Sequence, residues 1–177
     1  MYICSVVRKK KGEGTKSPLF LYLKMFVATV KELLKDALQE REDLFLIDLT
    51  VSGDNLINII IDGDEGVKVE DCMFISRAIE HNLDREEQDF SLEVASAGAA
   101  APLTLPRQFK KNIGRELEVR TQTETIEALL VNASDETIDL EWKAREPKPV
   151  GKGKVTVQKK INIAYNDIVE AKVMIKF

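Results

Sequence analysis

The densest group of chemically capable side chains lies in IDGDEGVKVEDC, where Asp62, Asp64, Glu65 and Glu70 bring oxygen ligands close together in sequence. The spacing does not suit a calcium loop: the glycine is misplaced, and Met73 falls where the bidentate twelfth-position carboxylate belongs. The stretch reads as a solvated loop between a strand and a helix. His81 is the only histidine and sits near the end of a predicted helix, so it suits the helix dipole better than a zinc site, which one imidazole cannot build. Ser96 in VASAG has only a superficial likeness to a nucleophile elbow, because the first glycine is missing. GKGK at 151–154 lacks the spacing and the hydroxyl residue of a phosphate-binding loop. The remaining group, Arg107, Lys110, Lys111 and Arg115, is basic, and three of its members can share one side of a short helix. Its chemistry is that of a docking surface, with an ordinary solvated basic face as the plain alternative. No catalytic residues, metal ligands or cofactor-binding residues are assigned, and the chain is read as a nonenzyme.

Composition narrows the setting. The 177 residues are 44% hydrophobic with a net charge of -4, enough apolar material for one domain or two small ones. The charge is unevenly spread. Residues 1–24 hold six basic against one acidic residue, 25–96 six against eighteen, and 97–177 fourteen against eleven. An acidic half followed by a mildly basic one suits a basic protein partner for the first and nearness to phosphates for the second. Cys4 and Cys72 lack the pairing of a disulfide framework or a zinc site, and LFLYLKMFVATV is too short and too interrupted to span a membrane. A soluble cytoplasmic protein is expected, acting as a monomer.

The elements follow from periodicity. Phe26, Val30, Leu33, Leu34, Ala37 and Leu38 form one face of a helix over 26–38. Strands are expected at 44–51 and 56–62 about a Ser-Gly-Asp-Asn turn, then a helix over 70–83 and a third strand beginning near Leu92. Residues 1–24 show no supported element and are expected to be a disordered leader, or to precede a start at Met25. In 92–114, the run LEVASAGAAAPLTLPRQFKKNIG, a strand dissolves into small residues and two prolines, the pattern of a chain leaving one domain for another. Pro106 then opens a short helical turn that Gly114 ends, with Phe109 and Ile113 one turn apart. Five alternating strands at 116–121, 126–132, 137–142, 155–163 and 168–176 predict a small β-barrel, with EWKAREPKPVGKGKV as an exposed mobile loop. The fold class is α+β: an N-terminal α-β-β-α-β sandwich over 25–97 and a small five-stranded barrel over 98–177.

From about residue 25 to the end, the chain resembles the bacterial ribosome maturation factor RimP family. The residues that carry the resemblance are SLEVASAGAAAPLTLPRQFKKNIGRELEV, the acidic loop and helix IDGDEGVKVEDCMFISRAIEHNLD, and the ending INIAYNDIVEAKVMIKF. The family's junction signature falls on Ser96, Gly98, Pro102, Leu103, Pro106, Arg107, Phe109, Ile113, Gly114 and Arg115. Two positions depart: Ala97 replaces a proline, which loosens the bend, and Ala101 replaces an arginine, which removes a cation. The resemblance implies an Sm-like (SH3-like) barrel and a nonenzymatic factor without cofactors. It also implies binding to the free small (30S) ribosomal subunit, late in its assembly, through a ribosomal protein near the decoding region and with ribosomal RNA contacts alongside. The candidate partner-binding or junction residues are Ser96, Gly98, Pro102, Leu103, Arg107, Phe109, Lys110, Lys111, Gly114 and Arg115. The alternative is an Sm-like general RNA-binding regulator. The +3 half, with one tryptophan, lacks the basic stripe and the stacking platform that such a role needs.

Overall fold

The computed structural model describes residues 18–52, 55–84, 89–147 and 154–175, with side chains from Lys24 onward. Among these residues the fold is α+β, with three α-helices and two sheets. The first part runs α1 (Pro18–Glu40), β1 (Leu44–Val51), β2 (Leu56–Gly63), α2 (Val69–Glu80) and β3 (Ser91–Ser96). Helix α1 begins at Pro18, a tolerated first-turn residue, so part of the expected leader is helical; residues 1–17 lie outside the described residues. No described helix is long and apolar enough to cross a membrane.

The first sheet has the order β1-β2-β3, with β1 antiparallel to β2 and β3 parallel to it. A parallel pair needs a crossover, and α2 supplies it. Central strand β2 buries Ile57, Ile59 and Ile61 completely, each worth about 1.5–3 kcal/mol of transfer free energy. They are flanked in register by Val51, Leu49 and Leu46 on β1 and by Leu92 and Val94 on β3. Leu46 and Leu49 are three residues apart and would point to opposite faces of a regular strand. A bulge between Leu46 and Asp48 restores the phase. Phe26, Val30, Leu34 and Ala37 of α1, with Ile75 and Ile79 of α2, cover this face. Leu33, Leu38, Cys72 and Leu83, expected on the same stripes, are only partly buried.

The second part runs α3 (Pro106–Lys111), β4 (Glu116–Thr121), β5 (Thr125–Ala133), β6 (Thr137–Pro147), β7 (Lys154–Ala164), a single 3-10 turn (Tyr165–Asp167) and β8 (Ile168–Val173). All five strands are antiparallel neighbours in the order β7-β6-β5-β4-β8. They share one core, into which α3 inserts Phe109 against Tyr165, with ring centroids 5.1 Å apart. The expected barrel is not closed: among the described residues β7 and β8 do not pair. The outer edge of β8 is instead engaged by the junction, where the Leu103 N–H donates to the Ala171 carbonyl at 2.8 Å.

Two other expectations change. The supposed loop after Trp142 is largely ladder, since β6 and β7 stay in register out to Pro147 opposite Lys154, and only 148–153 lie outside the described residues. Repeated cross-strand pairing outweighs the local turn preference of Pro, Gly and Lys. Phe109 and Ile113, read as one turn apart on a single short helix, do not share it: Ile113 is 45% exposed because α3 ends at Lys111 and helical phase is lost before it.

Candidate functional site at the junction of the two sheets

The short helix α3 is held against the end of β2 by its own basic residues. Arg107 and Lys111 lie four residues apart and so share a face. The Arg107 guanidinium forks onto the Asp64 carboxylate, with Nε donating to Oδ1 at 2.6 Å and Nη2 to Oδ2, while Nη2 also donates to the Glu42 carbonyl at 2.6 Å. Its plane lies over the Phe45 ring, 4.7 Å from the centroid. A planar cation with several donors is the side chain suited to all three contacts together. Lys111 Nζ donates to Asp62 Oδ1 and, at 3.2 Å, to the Gly63 carbonyl.

The stretch is a solvated strand-to-helix loop as expected, with Asp64, Glu65 and Glu70 exposed, except at Asp62, which lies in β2 and is only 5% exposed. Burying a carboxylate requires donors, and it has three: the Gly63 N–H at 2.8 Å, Gln108 Nε2 at 3.1 Å, and Lys111. Gln108 is likewise buried and occupies the third position of α3, where its Oε1 reaches back to the N–H groups of Thr104 and Leu105 at 2.8 and 3.2 Å. One amide thus caps the helix and ties it to the other sheet. The turn after β2 admits no side chain at Gly63, where a Cβ would come within 2.6 Å of the Gly66 carbonyl.

The electrostatics follow these contacts. Hydrogen bonding by Arg107 holds the Asp64 carboxyl below its ordinary range, and the same contact raises the pKa of the guanidinium. Beside it, Arg41 bridges Asp43 and Asp71 at 2.8 Å each. Asp71 is lowered first by the Lys68 N–H that it caps and then by Arg41, whereas Asp43 is lowered chiefly by Arg41. The acidic stretch is therefore a receptor for α3. The described residues contain no cluster of His, Cys, Asp or Glu able to hold a metal ion.

The other candidates divide into three groups. Ser96, Gly98, Leu103, Lys111 and Arg115 line a cleft of about 330 Å³ between the sheets, opposite Asp64 and Glu65. Arg115 is exposed and pairs with no acidic group among the described residues. Phe109 belongs to the second core, Pro102 is exposed in the connecting segment, and Gly114 takes φ +87°, letting the chain turn from α3 into β4. Lys110 points elsewhere and pairs with Asp135 at 2.6 Å. Ser96 ends β3 in an exposed position, and His81 is the C-cap of α2. Sequence reasoning missed Gln108, Asp62, Phe45 and the Glu42 carbonyl. The legible signal was a glutamine three residues beyond the position that caps a Pro-initiated helix; the other partners are over forty residues away in sequence.

A family model described as the RimP N-terminal domain matches residues 33–100. The chain is 58% identical over 153 residues to the ribosome maturation factor RimP of Christiangramia forsetii, covering 86% of this chain and all of that relative. It is 57% identical over 152 residues to the protein of the same name from Flavobacterium psychrophilum, covering 86% and 99%. The Porphyromonas gingivalis protein of that name is 34% identical over 131 residues, covering 73% and 86%.

Proposed function

The chain belongs to the ribosome maturation factor RimP family, and from that premise we propose that it acts in ribosome maturation as a nonenzymatic factor, binding the free small subunit late in its assembly. The observation that carries this reading is the 58% identity extending across the whole of a relative named a ribosome maturation factor. The contact surface is read as the second sheet with the exposed parts of the junction, docking on a ribosomal protein near the decoding region. The acidic first half suits attraction to basic ribosomal proteins and repulsion from bare RNA. The domain boundary is read at residues 97–98, where two separate cores meet through a segment of small residues.

Within this reading the basic residues of α3 have a different part from the one their charge suggests. Arg107 and Lys111 set the orientation of the two halves, which presents Arg115 and the cleft in a fixed relation to the second sheet. Co-sedimentation with purified small subunits and with assembled ribosomes tests the function. Binding to free subunits alone is expected, and equal binding to both would overturn it.

A further inference from the structure

The excess positive charge of the second half is concentrated between residues 143 and 160, which contain seven basic residues and one acidic residue, Glu146, while the rest of 97–177 has seven basic against ten acidic. Five of the seven, Lys143, Arg145, Lys154, Lys159 and Lys160, lie on β6 and β7; Lys148 and Lys152 lie outside the described residues. The register explains what this concentration does. Lys143 is opposite Gln158, Arg145 opposite Thr156, Pro147 opposite Lys154, and Glu141 opposite Lys160. Directly opposed residues share a face and alternate residues along a strand share it too, so Lys143, Arg145, Lys154 and Lys160 all project from one side of the β6–β7 ribbon. The other side carries Trp142, Ala144, Val155 and Val157, together with a Lys159–Glu146 pair at 2.6 Å. The ribbon is amphipathic, and its six β6 residues beyond Glu141 continue for about 20 Å past the last pairing with β5.

The cations of the basic side differ in their surroundings, since Lys143 lines a cleft with Glu116, Glu127 and Glu141 whereas Arg145 and Lys154 lie farther along the ribbon. Lys143, Arg145 and Lys154 are exposed and have no acidic partner among the described residues, whereas Lys160 is shared with Glu141 at 3.3 Å. Thr156 and Gln158 lie between the cations, and Gln158 already donates to Glu141 at 2.9 Å. No aromatic ring shares this side; Trp142 faces the other way and packs on the core. A row of cations without a stacking platform recognises phosphates rather than bases.

We propose that the β6–β7 ribbon binds the phosphate backbone of structured RNA through Lys143, Arg145 and Lys154, independently of sequence. The proposal extends the ribosomal reading above by giving the RNA contact a surface distinct from the α3 junction, and it depends on that reading only for the source of the RNA.

The test is binding of the full chain to a short RNA duplex, followed by fluorescence anisotropy at 50 and 200 mM salt. Three phosphate contacts predict a loss of affinity of about 40-fold between those salts. The double variant Lys143→Gln, Arg145→Gln is expected to bind the duplex at least about tenfold more weakly at low salt and with a shallower salt slope, while Lys143→Arg is expected to bind normally. Lys154→Gln, on the other strand, gives an independent reading should the double variant fail to fold. Undiminished binding by the folded glutamine variants, no binding by the wild-type chain, or competition by polyglutamate as effective as by RNA would overturn the proposal. Co-sedimentation separates the two readings. Duplex binding that depends on the ribbon in a chain that never sediments with subunits would defeat the ribosomal reading alone. Subunit binding with duplex binding indifferent to the glutamine variants would defeat this one alone.

Discussion

Two basic regions of the second half, the helix α3 and the β6–β7 ribbon, use the same residue types in opposite ways. On α3, Arg107 and Lys111 are committed inward, to Asp64, to the buried Asp62 and to backbone carbonyls. On the ribbon, Lys143, Arg145 and Lys154 face outward without acidic partners among the described residues. In sequence the α3 cluster is the more compact and looks like the better docking surface. In the folded chain it is the more fully occupied. The difference teaches that a cation's role is set by the carboxylates that the fold brings to it, not by the number of its basic neighbours.

The comparison can be broken most decisively at Asp62. Asp62→Ala leaves Lys111, Gln108 and the Gly63 N–H without their shared acceptor, and a loss of about 3 kcal/mol in denaturant unfolding is expected. A loss below about 1 kcal/mol would mean that the α3 contact is incidental. Arg107→Lys should cost about 1 kcal/mol despite keeping the charge, because lysine cannot fork onto Asp64 or lie flat over Phe45, and solvent screens this half-exposed pair. Full retention of stability by the lysine variant would reduce the contact to simple charge attraction.

Acid should distinguish the two regions with a smaller effect. The folded Asp64 pKa lies below its unfolded value, so its contribution is fully present above about pH 4 and is lost as pH falls through the depressed folded value. The Arg107 Nε–H resonance should therefore stay protected from neutral pH to about 5 and lose protection only below about 4. Loss of protection near neutral pH would contradict the assigned partner. The smallest effects belong to the ribbon: Lys143→Gln, Arg145→Gln should change stability by about 0.5 kcal/mol or less, as exposed residues without partners do. A larger loss would show that these cations are structural after all.

Much of the fold was legible because it rests on local periodicity. The stripe Phe26, Val30, Leu34, Ala37 and the alternation of Ile57, Ile59 and Ile61 each mark a buried face within one segment. Pro106 marked the start of α3 for a local steric reason, whereas Gly114 lies three residues past its end and marks the turn into β4. What escaped depended on register. The bulges on β1 and β5 rephase Leu46 and Ala133, and no local signal announces them. The Pro, Gly and Lys after Trp142 advertised a loop, yet pairing with β7 extends β6 to Pro147. The basic stripe was invisible for the same reason, since its members alternate with other residues on two strands and align only once Pro147 is set opposite Lys154. At the site, Arg107 and Lys111 were found as basic residues, but their acceptors lie 43 and 49 positions away.

The open edge of β7 has a consequence for solubility. Strand β7 is eleven residues long and, among the described residues, is paired along one side only, by β6. Such an edge offers backbone donors and acceptors to any extended chain, including another copy of itself, and is a common starting point for aggregation. Lys154, Lys159 and Lys160 lie along it, and two such edges brought together would crowd their ammonium groups. The charges that equip the ribbon for phosphate thus also keep one molecule from extending its sheet onto the next.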